Sequence, residues 1–464
     1  MLQKSKQPAY IAAIIITILV IVAVIILVTI SLRSVAGYNI SFEVWGPLDD
    51  SDAYAEINRS YSEIHPYIDR VDYKKMLVDE YKRDLLDALA SGNGPDIFLI
   101  RNTWFPEFQD KILPAPENIF NEEMLRRDFV DVVADDVLMD SKVYGVPLSV
   151  DSLSLYYNKD IFNFEGVTNP PQTWEEFLSL SDRFTKTDMS GWISQSGASL
   201  GTAKNINRSS DILNALFLQF GTNIEFTTRE KSSTRFQLGA PGREALDFYM
   251  QFSDINSPYY TWNIRQDYSI DAFQEGNLAM MLNYSWHYNT IKRKNNRLNF
   301  AVAPMPQFEG KKPLNYANYW VFVVAKNKKV SGEIDPVWAE QVRELETWQY
   351  LRYLTAHKGG SIVLTNLLSG KQKEFSFLLD PAKMYIEKTK APSARRDLIE
   401  FQKEDPVLKP FVLGNLIARS WRHNDADNTE TLFAEVIDSV HSGKITTNEA
   451  IRLLEERINT LSRR

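Results

Sequence analysis

The chain has 464 residues, a formal charge of −8 and no cysteine. That length is enough for more than one core. The interspersed charges offer nucleic acid no basic patch, and without a thiol there is no disulfide, thiolate metal site, cysteine nucleophile or lipidated cysteine.

Residues Tyr10 to Leu32 carry no charge and are rich in Ile, Val, Leu and Ala. As a helix they extend about 34 Å, enough to cross a bilayer. Lys4 and Lys6 precede them. The pattern predicts a cytoplasmic N-terminus over 1–9 and a single-pass transmembrane anchor over 10–32. The rest of the chain then lies on the extracytoplasmic side of the cell membrane. A signal peptide cleaved near Ser34-Val-Ala36 is the rival, but the apolar run is longer than a signal core, which favours the uncleaved anchor.

From Tyr38 the pattern changes. Asn39 to Trp45 alternates polar and apolar, as a strand does, and Gly46 and Pro47 end it. Residues 53–63 predict a helix and 67–73 a short strand. Residues 75–91 predict an amphipathic helix with Leu77, Tyr81, Leu85 and Leu89 on one face, stopped by Gly92; 96–100 is a buried strand. Strand and helix alternate, which predicts an open α/β sheet with its ligand at the carboxyl ends of the strands. Trp45, Asp49, Asp50, Arg101, Asn102 and Trp104 fall at such ends. A tryptophan more often fills a core. Beside short polar groups it also suits a sugar ring, whose C–H face packs on indole while its hydroxyls bond carboxylates and amides.

The stretch Val143 to Asp160 follows. Pro147 excludes a helix there, and the Val-, Leu- and Tyr-rich run after it predicts a strand that contains Asp151. A carboxylate in such a run is paired, hydrated or facing a ligand. A solvated strand edge and a crossing between two lobes both remain open from these residues alone.

Thr173 and Glu176 form a capping box, so a helix starts there and runs to about residue 185. A strand over 192–195, a helix over 209–220 closed by Gly221 and a hairpin over 223–237 come next. A helix over 241–252 has Pro241 in its first turn. Residues 269–275 are helical, Gly276 ends them, and 278–283 is a strand. Strands over 299–304 and 319–325 follow, Trp320 near the start of the second, then helices over 336–357, 382–389, 429–441 and 447–461.

There is no phosphate-binding loop, dinucleotide fingerprint, zinc-protease helix or nucleophile elbow. His65, His287, His357, His423 and His441 lack metal-ligand spacing. No cofactor, metal or catalytic residue is therefore assigned, and nothing singles out a glycosidase pair among the many carboxylates.

Six segments in order resemble one family. They are the strand to Trp45 with its turn; Gly92-Asn-Gly-Pro-Asp-Ile-Phe98; Tyr144 to Asp160; Pro170-Pro-Gln-Thr-Trp-Glu-Glu176; Asp267 to Met280 with Trp286; and Ser442-Gly-Lys-Ile-Thr-Thr-Asn-Glu-Ala450. Over residues 38–460 the chain resembles the family 1 extracellular solute-binding proteins of ABC importers, the group that includes maltose-binding protein. The resemblance implies an α/β, two-lobed periplasmic-binding-protein type II fold whose hinge strands close the lobes on a ligand. It implies crossovers near 149–153, 300–304 and 326–334. The N-terminal lobe would comprise 38–150 and 300–328, and the C-terminal lobe 151–299 and 329–464. Asp151 falls on a ligand-contacting Glu, Trp286 on a sugar-stacking Trp and Tyr268 on a ligand-contacting Tyr. Asp49 or Asp50 falls near a loop Asp, and Trp421 is a candidate for the C-terminal stacking Trp. With Trp45, Asn102, Trp104 and Trp320 these make the expected ligand-contact set. Thr103 and Trp104 stand where the family has an Asp-Arg pair, and Ile100 where it has a Trp, which departs from maltose recognition.

The function so implied is a membrane-anchored, monomeric, non-enzymatic binding protein. It takes a sugar or a similar small polar solute between its lobes and serves an ABC permease. The alternatives are a surface-anchored glycoside hydrolase using a pair such as Asp151 and Asp49, and a ligand sensor for a membrane partner.

Overall fold

The computed structural model describes residues 40–65, 68–227, 233–326, 328, 336–365 and 372–461. The expected membrane span at 10–32 lies outside the described residues. Among the described residues no helix is long and apolar enough to cross a membrane.

Two hydrophobic cores organise the chain, each around a five-stranded sheet. In the first sheet the strand order is Ile68–Lys75, Ile40–Gly46, Ile97–Arg101, Trp320–Ala325, Ile112–Leu113. Ile40–Gly46 runs parallel to both its neighbours, and Trp320–Ala325 returns antiparallel against Ile97–Arg101. Phe42, Val44 and Ile97 to Ile100 are buried, because helices cover both faces of a sheet wound this way. The helix Val78–Ser91 ends where Gly92 takes the left-handed conformation at φ 76°, a backbone state that glycine enters without a steric penalty.

The second sheet has the order Phe300–Pro304, Ser154–Asn158, Leu278–Asn283, Ile193–Ala198, Lys186–Thr187. The helix Trp174–Phe184 begins with the capping box read from Thr173 and Glu176. It packs so closely on this sheet that a Cβ at Gly197 would collide with the backbone of Ser181.

A third, three-stranded sheet joins the lobes. Asn315–Asn318 runs parallel to Ala418–Arg419 and antiparallel to Asp151–Ser152. Three crossings therefore lie side by side. Their backbone is satisfied by short side chains: Asn315 Nδ2 donates to Leu153 O at 2.8 Å, Asn415 Nδ2 to Val150 O at 2.6 Å and Ser152 Oγ to Phe411 O at 3.1 Å. Gly414 leaves room for this, since a Cβ there would strike Ser152 Oγ and Asn315 Nδ2.

These crossings correct two expected lobe boundaries. Phe300–Pro304 is not a crossover; it pairs antiparallel with Ser154–Asn158 inside the second sheet, and the chain crosses at Asn315–Asn318. The crossing expected at 326–334 lies mostly outside the described residues, and the described elements on either side of it, Trp320–Ala325 and Pro336–Leu354, both contribute to the first core. Val342, Trp348, Leu351, Ile386 and Leu398 all pack in the first core. The return comes near Lys409–Asn415, where Phe411 enters the second core and Val412 the first. The helix Ala426–His441 then buries Phe433 and Ile437 in the second core, while Ala426 at its start touches the first. No hydrophobic period marks these switches, because buried segments look alike in either lobe.

Candidate functional site

The carboxyl end of Ile97–Arg101 and the start of Trp320–Ala325 meet in the first lobe. Asn102 N–H donates to Tyr319 O at 3.0 Å, and its Nδ2 donates to Asp136 Oδ2 at 3.1 Å. Beside them the rings of Trp104 and Trp320 stand edge to face at 5.4 Å. The Arg101 guanidinium lies 5.6 Å from the Trp320 ring and 5.7 Å from that of Trp104, within reach of a cation–π attraction.

The second lobe supplies a matching group. Trp286 opens the helix Trp286–Lys294 and is stacked on Tyr284 at 4.6 Å, yet remains 42 % exposed. Tyr268 is 40 % exposed and donates its hydroxyl to Asn207 Oδ1 at 2.9 Å. Asn207 Nδ2 in turn reaches Asn283 Oδ1 and His287 Nε2. Arg208, next in the chain, places its guanidinium 5.6 Å from the Trp286 ring.

Charge links the two groups. Arg101 Nη1 pairs with Glu430 Oε1 at 3.2 Å, across from the first lobe to the helix Ala426–His441. Burial lowers the pKa of Arg101, and Arg208 is the largest charge acting in the same direction. Burial raises that of Glu430. Burial and Arg208 push His287 down to about 4; burial and Arg101 push His423 down to about 3. Both imidazoles are therefore neutral at physiological pH.

Asp151 sits in the joining sheet with its carboxylate committed. Oδ1 accepts Ser152 N–H at 2.9 Å, and Oδ2 accepts Ser285 N–H at 2.9 Å and Ser285 Oγ–H at 2.5 Å. Ser285 immediately precedes Trp286, so Asp151 holds the turn that presents that ring. Burial raises its pKa to about 7, against the Ser285 hydrogen bonds.

The structure thus brings Asn102, Trp104 and Trp320 together in one lobe, and Tyr268, Trp286 and Asp151 in the other with the joining sheet. It does not gather the remainder. Trp45 is buried in the first core with Lys74 Nζ 4.4 Å above its ring. Asp49 Oδ2 accepts the hydroxyls of Tyr54 and Tyr385, both at 2.8 Å, within that lobe. Asp50 is exposed and pairs with Lys75. Asp49 is thus held by tyrosines of the first lobe, and Asp151 by Ser152 and Ser285 at the joining sheet. Trp421 is buried, donates Nε1 to Asn214 Oδ1 at 2.9 Å and lies against Phe236 and His423. Its role is packing rather than the expected stacking. Among the described residues no group of three or more metal-binding side chains occurs.

Sequence reasoning passed over Asn207, Arg208, Asp211, His423 and Glu430. Asp211 Oδ2 accepts Tyr284 OH at 2.9 Å and Asn318 Nδ2 at 3.0 Å, which ties the second lobe to the joining sheet. Arg208 adopts a left-handed φ of 61° ahead of the helix Ser209–Phe220, and no local rule predicts that conformation for arginine.

Residues 78–360 match the family described as bacterial extracellular solute-binding protein. The chain belongs to that family. A binding protein of Brucella abortus is 22 % identical over 256 residues, 54 % of this chain. The chain spans 59 % of the length of that curated relative. A maltotriose-binding protein of Pyrococcus abyssi is 24 % identical over 234 residues, 50 % of this chain and 47 % of its own. Among solved structures, a cyclo/maltodextrin-binding protein complexed with maltotetraose superposes with a TM-score of 0.67 at 14 % identity, covering 91 % of this chain and 98 % of that one. A cyclic alpha-maltosyl-1,6-maltose binding protein from Arthrobacter globiformis gives 0.68 at 17 % identity, covering 91 % and 99 %. These likenesses establish the two-lobed α/β fold of extracellular binding proteins.

Proposed function

We propose that this family member binds a carbohydrate between its lobes and passes it to an ABC permease, held at the outer face of the membrane by residues 10–32. What supports this reading is the half-exposed Trp286 with Tyr268 on the second lobe and the Trp104–Trp320 pair with Arg101 on the first, the two lobes being tied by the Arg101–Glu430 pair. An aromatic face flanked by hydrogen-bonding groups meets the needs of a sugar ring. Relatives named for maltotriose and arabinooligosaccharide support the same ligand class. Tyr268, Trp286, Trp320 and, through Ser285, Asp151 form the proposed binding set, while Asn102 and Trp104 are buried in the first lobe, Trp104 against Trp320. Closure about the three joined strands follows when ligand contacts exist only in the closed state.

A calorimetric and thermal-shift screen of the chain against mono- and oligosaccharides tests the reading. Binding of at least one saccharide with a raised melting midpoint is expected. Binding of a non-carbohydrate solute with no saccharide response contradicts it. For the anchor, the full chain should sediment with membranes and a chain lacking 1–33 should be released; release of both excludes it.

A further inference from the structure

Arg208 is the odd member of the cleft. Its side chain is only part-buried and lies over Trp286, yet it makes no hydrogen bond or ion pair within 4.0 Å among the described residues. A guanidinium carries five N–H donors in a rigid fork, and donors removed from bulk water are normally bonded. The neighbouring charges are otherwise engaged. Glu430 pairs with Arg101, Asp211 Oδ2 takes Tyr284 and Asn318, and Asp427 pairs with Lys82. The backbone at Arg208 is left-handed, at φ 61° and ψ 32°. A non-glycine residue held there costs energy that the surrounding structure must offset, and such residues gather at ligand clamps.

Charges of both signs meet here: Asp211 and Glu430 raise the pKa of Arg208 against its burial. Nearby stand Arg101, His287 and His423, and after burial the largest charge acting on each is a guanidinium: Arg208 on the first two, Arg101 on the third. His423 adds two ring nitrogens that are buried and lack a hydrogen-bond partner among the described residues. The cleft thus combines stacking surface, neutral hydrogen-bonding groups and one unbonded fork.

We infer that the solute is an acidic carbohydrate, a saccharide bearing a carboxylate that docks on Arg208 while its ring packs on Trp286. This rests on the carbohydrate reading given above. A carboxylate matches the fork with two parallel N–H···O bonds. A phosphate dianion would leave a second charge facing Asp211 and Glu430.

The test titrates the full chain with a uronate trisaccharide, with the same trisaccharide after reduction of its carboxyls to neutral hydroxymethyl groups, and with a sugar phosphate. The uronate form should bind about 10- to 100-fold more tightly than the reduced form, as loss of a charged hydrogen bond implies. The gap should narrow as salt is raised. Arg208→Gln should erase the gap and Arg208→Lys retain part of it, each with an unchanged circular dichroism spectrum. Equal affinity for the two trisaccharides, or a gap that survives Arg208→Gln, overturns the acidic assignment and leaves the carbohydrate reading standing. A sugar phosphate bound in preference to the uronate overturns the carboxylate. Failure of every saccharide overturns both readings. The comparison of ligands on the unmodified chain decides even where a variant does not fold.

Discussion

The two faces of the cleft are built in opposite ways. On the first lobe Trp104 is 5 % exposed, packed against Phe108 and Trp320, and Arg101 already has its carboxylate in Glu430. On the second lobe Trp286 and Tyr268 stand out from the surface, and Arg208 has no bonded partner among the described residues. The first face is finished by protein–protein contacts; the second has contacts left to make. Tryptophans with similar positions at element ends therefore do different work. Trp104 contributes buried area to folding, and under the proposed function Trp286 holds its exposed area for a ligand.

Substitutions should separate the faces. Trp104→Ala removes a buried indole and should cost about 3–5 kcal/mol of stability in chemical denaturation, the range for buried aromatic truncation. Trp286→Ala should leave the denaturation midpoint nearly unchanged and weaken saccharide binding by about 1–3 kcal/mol. If the first variant melts normally, or the second unfolds while binding normally, the contrast is lost. Tyr268→Phe removes a single neutral hydrogen bond to Asn207 and should weaken binding by about 0.5–1.5 kcal/mol in the same calorimetric titration.

Asp151 connects the contrast to the hinge. Its folded pKa, raised to about 7 by burial, exceeds the ordinary 3.8. Between those values the folded chain holds a proton that the unfolded chain has released. The stability this contributes is present below about pH 4 and lost as pH rises through about 7. Asp136, pushed to about 6 by burial, acts in the same sense, and the depressed His287 and His423 act in the opposite sense at lower pH. The difference between the unmodified chain and Asp151→Asn removes the shared contributions. Its advantage over the variant should shrink as pH climbs from 5 to 8 in thermal melts. A difference that does not vary with pH contradicts the shifted Asp151.

Much of the scaffold was legible because its signals are local. The capping box at Thr173, the left-handed glycines at 92, 221 and 276, and the final helix Thr447–Leu461 appear where the residues place them. The lobe boundaries were not, since Trp348 and Leu398 carry no mark of which core they join. The helix Gly239–Met250 begins two residues before the Pro241 expected to start it, because proline is tolerated throughout the first turn. Trp286 and Tyr268, expected from the family resemblance as ligand contacts, are both exposed on the second lobe, as a contact residue has to be. Trp421 could not be told from a stacking residue, because only the contacts with Phe236 and Asn214 reveal a core position. Arg208 was invisible, since its placement depends on one unusual backbone angle and on a partner ring 78 residues away in the sequence.

The most direct measurement is amide hydrogen exchange of the chain with and without a bound saccharide. Protection should appear together at 101–104, 205–208, 284–287 and 315–320, from both lobes and the joining strands. Protection confined to one lobe, or centred on the exposed surface around Trp192 and Ile264, would contradict a ligand site between the lobes.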